Sequence, residues 1–418
     1  MSTPTSSDAL SDSPTSSSPA RPVGPGGAGQ TFLVGETIYL SPIELADAAT
    51  AALWRPSAFP QPADVVEEKL KEEIPADAKA GKRTLIARRR ADDRPVGSVT
   101  LTTKDARWAN VELHVPPVHG PEVVSRVTAE MIATFVPWTM TEREHMVVWL
   151  QVTDPDEAVH RAGEAAGMHR CWRFREAKVV AGVRRDLVGY QALRPSWVER
   201  LGAPTPSPEG AVERETRHPA PKSYARRAQD PPTGAVLVGE RLYLRAVTEA
   251  DREALARWTM AEPETFHDDG RWPRSPISHG AMHLEIAKQE PPEWLRFALV
   301  TLDGDRLIGA NGLADIDWVH KTAETETEIA VPEFRGGGYG TEAKHLALEY
   351  GFDVLGLHMV FSGAWTFNIR SCAALRKQGY RDAGGESWTG FKGGTMADDT
   401  YFDLLADEWR AAREKGRP

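Results

Sequence analysis

Two cysteines stand in 418 residues, Cys171 and Cys372, far apart along the chain. That spacing offers neither a disulfide framework nor a set of zinc ligands, and it predicts a chain suited to a reducing cytoplasm. Positive charge is in short supply too. Lys and Arg number 50 against 60 Asp and Glu, a formal net charge of −10. This excludes broad nucleic-acid binding, which needs a cationic surface. It suits a cationic, amine-bearing substrate, or solubility alone. No apolar run approaches the ~20 residues that span a bilayer, and the opening segment lacks the basic-then-apolar layout of a signal peptide. Residues 1–30 are almost free of large apolar side chains. Such a tail cannot bury enough surface to offset its ordering entropy, so disorder is expected there.

What the chain does have is length for two domains and a repeat that marks them. Leu33-Val34-Gly35-Glu36 reads like Leu237-Val238-Gly239-Glu240, Tyr39-Leu40 like Tyr243-Leu244, Ala46-Asp47 like Ala250-Asp251, and Trp54 like Trp258, all at one offset. Each half should open with a strand, a turn and an amphipathic helix. In the second half Thr248 caps that helix, with Asp251 three residues on. A hairpin should follow, over 297–302 and 307–311 around Asp303-Gly304-Asp305. The first half mirrors it over 84–88 and 96–101. Between the halves, residues 203–233 hold seven prolines and a basic cluster, Arg214, Arg217, Lys222, Arg226 and Arg227. They read as a semi-stiff, solvated linker. The expected order is a tail over 1–30, a domain over 31–202, the linker over 203–233, and a domain over 234–418.

The stretch from Glu324 to Tyr380 carries chemistry. Residues 323–331 alternate Thr and Glu, which suits a strand with one acidic face that ends at Pro332. Arg335-Gly336-Gly337-Gly338-Tyr339-Gly340 follows, four glycines in six residues. Then comes a helix with Ala343, Leu346, Ala347, Tyr350 and Val354 on one face. A strand, a glycine turn and a helix N-terminus together form an anion site: the turn lets the backbone approach, and the first-turn amides and helix dipole favour phosphate. Three ligand classes compete for such a site. A Walker loop would need a lysine where Gly340-Thr341-Glu342 has none. A dinucleotide fingerprint is nearly met by Gly338-Tyr339-Gly340-Thr341-Glu342-Ala343, but deep within its unit and after an acidic strand. The Gln/Arg-x-x-Gly-x-Gly/Ala pyrophosphate loop of N-acyltransferases is met throughout.

Val331-Pro332-Glu333-Phe334-Arg335 running into that loop resembles the GNAT superfamily, in its ribosomal-protein N-acetyltransferase (RimJ/RimL-like) branch. The likeness continues through Tyr350-Gly351-Phe352, Leu355-Gly356-Leu357-His358, Asn368-Ile369-Arg370-Ser371 and Lys377-Gln378-Gly379-Tyr380, and covers roughly residues 237–410. It implies an α+β fold, a mostly antiparallel mixed sheet flanked by helices whose central strands splay to seat a pantetheine arm. The repeat makes that two such domains in tandem. The implied reaction is direct transfer of an acetyl group from acetyl-CoA to an amine, with no metal. The acceptor would be a small amine or a protein N-terminus. By the same resemblance Glu328 is the base, with Glu324 and Glu326 sharing its face and each carboxylate raising its neighbour's pKa. Main-chain groups at Ile329 and Val331 would hold the thioester and pantetheine. Arg335, Gly336, Gly337, Gly338, Tyr339, Gly340 and Thr341 would hold pyrophosphate, and Asn368 the cofactor arm, though an N-cap serves asparagine equally. Leu375 stands where many members carry a tyrosine acid, leaving Ser371 as the nearest hydroxyl. Cys372 reads as core. His279 and His283 lack a third ligand, and His267-Asp268-Asp269 and Arg271-Trp272 lie where the family builds its acceptor pocket.

In the first half, Val111-Glu112-Leu113-His114-Val115-Pro116 aligns with residues 327–332, but the next residues are Pro117-Val118-His119-Gly120-Pro121-Glu122. Proline offers no N–H and glutamate repels phosphate. Yet Val124, Val127, Thr128, Met131, Ile132 and Phe135 keep the helical stripe. The reading is a degenerate copy that shapes the acceptor site or docks a partner. Against the enzyme stand a non-catalytic acyl-CoA-responsive regulator and, on the GxGxxA match alone, a nicotinamide-dependent oxidoreductase.

Overall fold

The computed structural model describes residues 31–57, 59–103, 107–205, 207–210, 230–261 and 288–415, with isolated positions between 275 and 286. The tail over 1–30, the basic cluster at 214–227, and His267, Asp268, Asp269, Arg271, Trp272, His279 and His283 lie outside them.

The first half carries β1 (Leu33–Val34), β2 (Ile38–Pro42), β3 (Lys82–Arg89), β4 (Pro95–Thr103), β5 (Trp108–His114), β6 (Val147–Thr153), β7 (Met168–Val180) and β8 (Val183–Leu193). The second carries β9 (Ala235–Val238), β10 (Leu242–Ala246), β11 (Leu295–Thr301), β12 (Leu307–Asp317), β13 (Thr322–Ile329), β14 (Met359–Trp365), β15 (Arg381–Lys392) and β16 (Thr395–Leu405). The sheet order is β1-β2-β3-β4-β5-β6-β8-β7, then β15-β16-β14-β13-β12-β11-β10-β9. Read from the outer edge inward, the two series are the same. The parallel pairings, β5 with β6 and β13 with β14, fall at equivalent places. The fold is α+β, a mostly antiparallel mixed sheet flanked by helices.

Local chemistry explains the elements. The predicted β11–β12 hairpin forms around Gly304 and Asp305, both at positive φ. Asp305 also accepts a hydrogen bond from the Tyr243 hydroxyl. The first half repeats the device with Asp93 (φ 57°) and Tyr39, whose hydroxyl donates to Asp93 at 2.9 Å. The helix α5 (Glu249–Ala261) starts where Thr248 predicts. Asp251 accepts from the Thr248 amide at 2.7 Å and is held by Arg245. The first half departs from its echo here. Residues Leu45–Leu53 wind as a 3₁₀ helix with a break at Thr50, tied down by Asp47, which Arg88 grips at 2.6 Å. Its Ala-rich face buries little besides Ala48, and a separate helix, α1 (Ala63–Lys79), packs Val66 and Leu70 against Trp54 and Ile86.

Each half has apolar cores between sheet and helices. In the first, Val127, Met131, Ile132 and Phe135 of α2 (Pro121–Glu142) cover Val99, Val111 and Leu150. In the second, α6 (Tyr339–Glu349) covers β12 and β13 with Ala343 and Leu346. The halves meet edge to edge at Gly384 and Trp172, where β15 pairs with β7. A Cβ on Gly384 would lie 2.2 Å from the Cys171 carbonyl oxygen, so only glycine permits the approach. Asp403, fully buried, joins the halves by accepting from Arg175 at 2.8 Å and Arg381 at 2.6 Å. The opening of the expected linker proves to be part of this seam. Glu209 pairs with Arg173 and Arg381, and Ser207 meets Thr400 at 2.8 Å. Those residues are docked because Glu209 finds guanidinium partners from both halves, which proline content alone does not reveal.

Candidate functional site

β13 runs alongside β14 for three residue pairs, Thr322–Met359, Ala323–Val360 and Glu324–Phe361, and then the two part. On its other side β13 stays paired with β12 as far as Ile329. Antiparallel pairing alternates the direction of main-chain groups. The Ala330 amide donates to Ile308 at 2.9 Å, so Thr327 and Ile329 turn theirs away from β12 into the open wedge. In the first half β5 and β6 stay joined for five pairs, up to Glu112 with Gln151. Glu112 aligns with Glu328, so the wedge that opens in the second half is closed in the first.

Beyond the wedge lies the glycine turn. Gly336 (φ 79°) and Gly338 (φ 85°) are left-handed, and Gly338 occupies the N-cap of α6 without a side-chain cap. The three consecutive glycines are exposed, and a Cβ on Gly336 would meet nothing within 4 Å. The first-turn amides of α6 are orphan donors at the positive end of a helix. Positive φ is what allows this turn to present them to an incoming anion.

A ring of contacts holds the turn. Arg241 spans from the β9–β10 turn to the Gly337 carbonyl at 2.8 Å, stacks 4.2 Å from the Tyr339 ring centre, and pairs with buried Glu342 at 2.9 Å. Glu342 also accepts from the Arg241 and Leu242 amides. Arg335 points inward. Its Nε donates to the Ile329 carbonyl at 2.8 Å and Nη2 to that of Ala330 at 3.0 Å. It braces strand against turn, so the guanidinium expected to hold pyrophosphate is also bonded to main-chain oxygens. The Val331 amide is likewise engaged, donating to Ile308 at 3.1 Å beside that of Ala330. Of the two expected strand contacts, Ile329 keeps its amide toward the wedge and Val331 does not.

The acidic row is in place. Glu324, Glu326 and Glu328 are half-buried on one face of β13. Arg296 of β11 sits 3.7 Å from Glu328, and the Trp294 indole donates to Glu326 at 3.1 Å. Opposite Glu326 in register is Gly312, and Arg296 lies beyond it, so the row is crossed without an intervening side chain. Burial, reinforced by Glu326, pushes the Glu324 carboxyl up to about 7. Burial also raises Glu326, against the pull of Arg296. Lys344 of α6 is pushed down to about 8 by burial, while Glu324 and Glu326 act in the opposite sense. The mutual raising of neighbouring carboxylates was legible in sequence; the rank of Glu324 was not.

On α7 (Ile369–Lys377), Asn368 is the N-cap and accepts from the Ser371 amide at 3.2 Å. Ser371 is half-buried beside it. Leu375 is fully buried. The nearest phenol to the strand is Tyr380, buried and bonded to Thr325 at 2.7 Å. Cys372 is core, with its thiol pushed up by burial. Thr341 and Gly340 belong to the first turn of α6, and the Thr341 carbonyl accepts from Gln378 at 3.3 Å. Sequence reading missed Arg241, Trp294 and Arg296. Only Arg241 had a signal, a difference between the copies, for its counterpart is Thr37. There Glu130 accepts from the Thr37 amide at 2.6 Å and from that of Ile38 at 3.1 Å, as Glu342 does from Arg241 and Leu242.

Residues 241–381 match the model of the acetyltransferase (GNAT) domain. Among curated proteins, an uncharacterized N-acetyltransferase of Bacillus subtilis, YoaA, is 25% identical over 171 residues, 41% of this chain and 96% of that protein. The spermidine N(1)-acetyltransferase of Escherichia coli K12 is 35% identical over 82 residues, 20% of this chain and 43% of that protein. The chain thus spans nearly all of the first relative and less than half of the second. Among solved structures, the spermidine/spermine N-acetyltransferase SpeG of Vibrio cholerae is 21% identical, covers 41% of this chain and 96% of its own, and has a TM-score of 0.37. The segment 241–381, which holds the acidic strand and the glycine turn, is the part of the chain that matches the acetyltransferase (GNAT) domain.

Proposed function

We propose that the second half transfers an acetyl group from acetyl-CoA to a primary amine by direct attack, and that the first half is a copy of the same fold that has lost its coenzyme site. The observation that carries this is the continuity of wedge and turn. An opened pair of strands leads to uncapped helix amides behind left-handed Gly338. A pantetheine arm would lie in the wedge and its pyrophosphate on the turn from Gly336 to Thr341, braced by Arg241 and Arg335. Acetyl-CoA supplies an activated thioester. The chain supplies orientation, a hydrogen bond from the Ile329 amide, and a route for the ammonium proton. Glu328, next to Ile329, takes that proton through water. Arg296 stands 3.7 Å from it, and Glu326 and Glu324 continue the row that draws a cation in. Ser371, in the first turn of α7, is the hydroxyl that would assist the leaving thiolate, though a thiolate leaves readily without help.

The first half supports the second part of the reading. Its strands stay zipped, and α2 begins with Pro121 and Glu122. Its helix also starts nine residues before Glu130, whereas α6 starts three before Glu342, so nearly two extra turns occupy the place of the cradle. The linked motifs resemble those of the RimJ/RimL-like branch and support that assignment, and two unbridged, buried cysteines suit a cytoplasmic setting. Glu328→Gln separates the enzyme from a coenzyme-responsive regulator. An enzyme keeps acetyl-CoA affinity and loses turnover by ~10²–10⁴-fold. A regulator binds coenzyme but releases no thiol with any amine, in either protein.

A further inference from the structure

A cleft of about 540 Å³ lies across the seam between the halves. That is within the ~300–1,000 Å³ range of small-molecule sites. The second half contributes Thr322, Met359, Phe361, Glu386 and Tyr401. The first contributes Trp108, Asn110, Trp149, Trp172 and Phe174. The rings make one wall that crosses the seam. Trp172 and Phe174 centres are 4.6 Å apart, Phe174 and Phe361 5.0 Å, and Trp172 and Tyr401 5.7 Å.

The cleft adjoins the acidic row. Thr322 and Glu324 share a face of β13, and Phe361 is the register partner of Glu324. A Cβ on Gly363 would stand 3.2 Å from the Tyr401 ring and 3.9 Å from Glu324 Oε1, so the missing side chain leaves the ring wall and the carboxylate open to each other. Further carboxylates line the cleft. Glu386 is buried and accepts from the Trp172 indole at 2.6 Å and the Tyr401 hydroxyl at 3.1 Å. Asp317 is engaged by Lys178 at 3.2 Å, and Asp315 lies beside it. The first half presents the matching face of its own strand, but where the second has Glu324 and Glu326 it has Trp108 and Asn110. Aromatic faces attract an organic cation and its apolar body alike, and carboxylates fix the charged end.

We infer that this cleft is the acceptor site, completed by the first half, and that it takes a small ammonium with an aromatic or branched apolar body in preference to a linear polyamine. The inference rests on the acetyltransferase reading, because it places the amine against the row that receives its proton. Asp317 is already paired with Lys178 and Glu386 is held by Trp172 and Tyr401, so the ring wall suits one ammonium at the Glu324 end and has no spare counter-charge for the further ammonium groups of a linear polyamine.

The test uses the full chain and two probes, phenethylamine and spermidine, with binding followed by tryptophan fluorescence without coenzyme. Phenethylamine should bind more tightly than spermidine, and Asn110→Arg, which puts a cation into the cleft from the first half, should weaken phenethylamine at least tenfold. Acetyl-CoA affinity, measured by calorimetry on the same variant, should be unchanged. Val65→Arg, which adds the same charge on the exposed face of α1 and outside the cleft, should bind phenethylamine like the parent. Equal or tighter binding of spermidine, or phenethylamine binding indifferent to Asn110→Arg, overturns the inference. Amine binding that behaves as stated while acetyl-CoA gives no heat in the parent overturns the acetyltransferase reading and leaves a cation-binding cleft.

Discussion

Replacing Glu324 by glutamine removes a buried titration while keeping an oxygen to accept from the Gly363 amide, now 3.3 Å from the carboxylate. In the folded protein this carboxyl sits near 7, against an ordinary 4.5, because burial and Glu326 penalise its charge. The fold therefore holds the proton more tightly than the unfolded chain does. The stabilisation is fully present below about pH 4.5 and is lost as the pH rises through 7. Between pH 5 and pH 8 the loss amounts to about 2–3 kcal/mol. Glutamine has nothing to lose, so Glu324→Gln should gain that amount on the parent across the interval. Urea denaturation of both proteins at the two pH values gives the difference, and Glu386, raised in the same way, cancels because both carry it. A variant-minus-parent difference that is the same at pH 5 and pH 8 would refute the placement of Glu324 in a desolvated, like-charged row.

Arg241→Ala should weaken acetyl-CoA binding and destabilise the protein by ~1–3 kcal/mol, since Glu342 keeps its backbone donors but loses its guanidinium. Calorimetry and thermal unfolding check the two effects. Asp403→Asn should cost ~3 kcal/mol by chemical denaturation, because Arg175 and Arg381 lose the buried charge that joins them and meet an NH2 donor in place of one of its two acceptor oxygens. Both cysteines should resist thiol reagents in the native protein and react once it unfolds, as burial raises both thiols.

The parts legible in sequence were those written locally. The repeat at a constant offset agrees with the equal strand order of the two halves. Glycines clustered before an amphipathic stripe announced the turn, and alternation placed three glutamates on one face. What the sequence hid is set by groups distant along the chain. Arg241 braces a turn nearly a hundred residues away, and nothing local marks it. Arg335 fitted its motif, yet its guanidinium donates to two main-chain carbonyls, those of Ile329 and Ala330. Val331 lost its expected role to a shared acceptor, Ile308. The seam between halves combines one strand pair, arginines whose partners lie 22 to 233 residues distant, and contacts such as Trp172 with Glu386 and Phe174 with Phe361, a pattern without periodicity.

Titration calorimetry of acetyl-CoA against the parent and Gly338→Val bears most directly on the account. The parent should bind. The variant, with a branched side chain forced to a φ of 85° and its Cβ 3.3 Å from Arg241, should lose at least about tenfold in affinity, ~1.4 kcal/mol. No heat from the parent, or undiminished binding by the variant, would contradict a coenzyme held by the main chain of this turn.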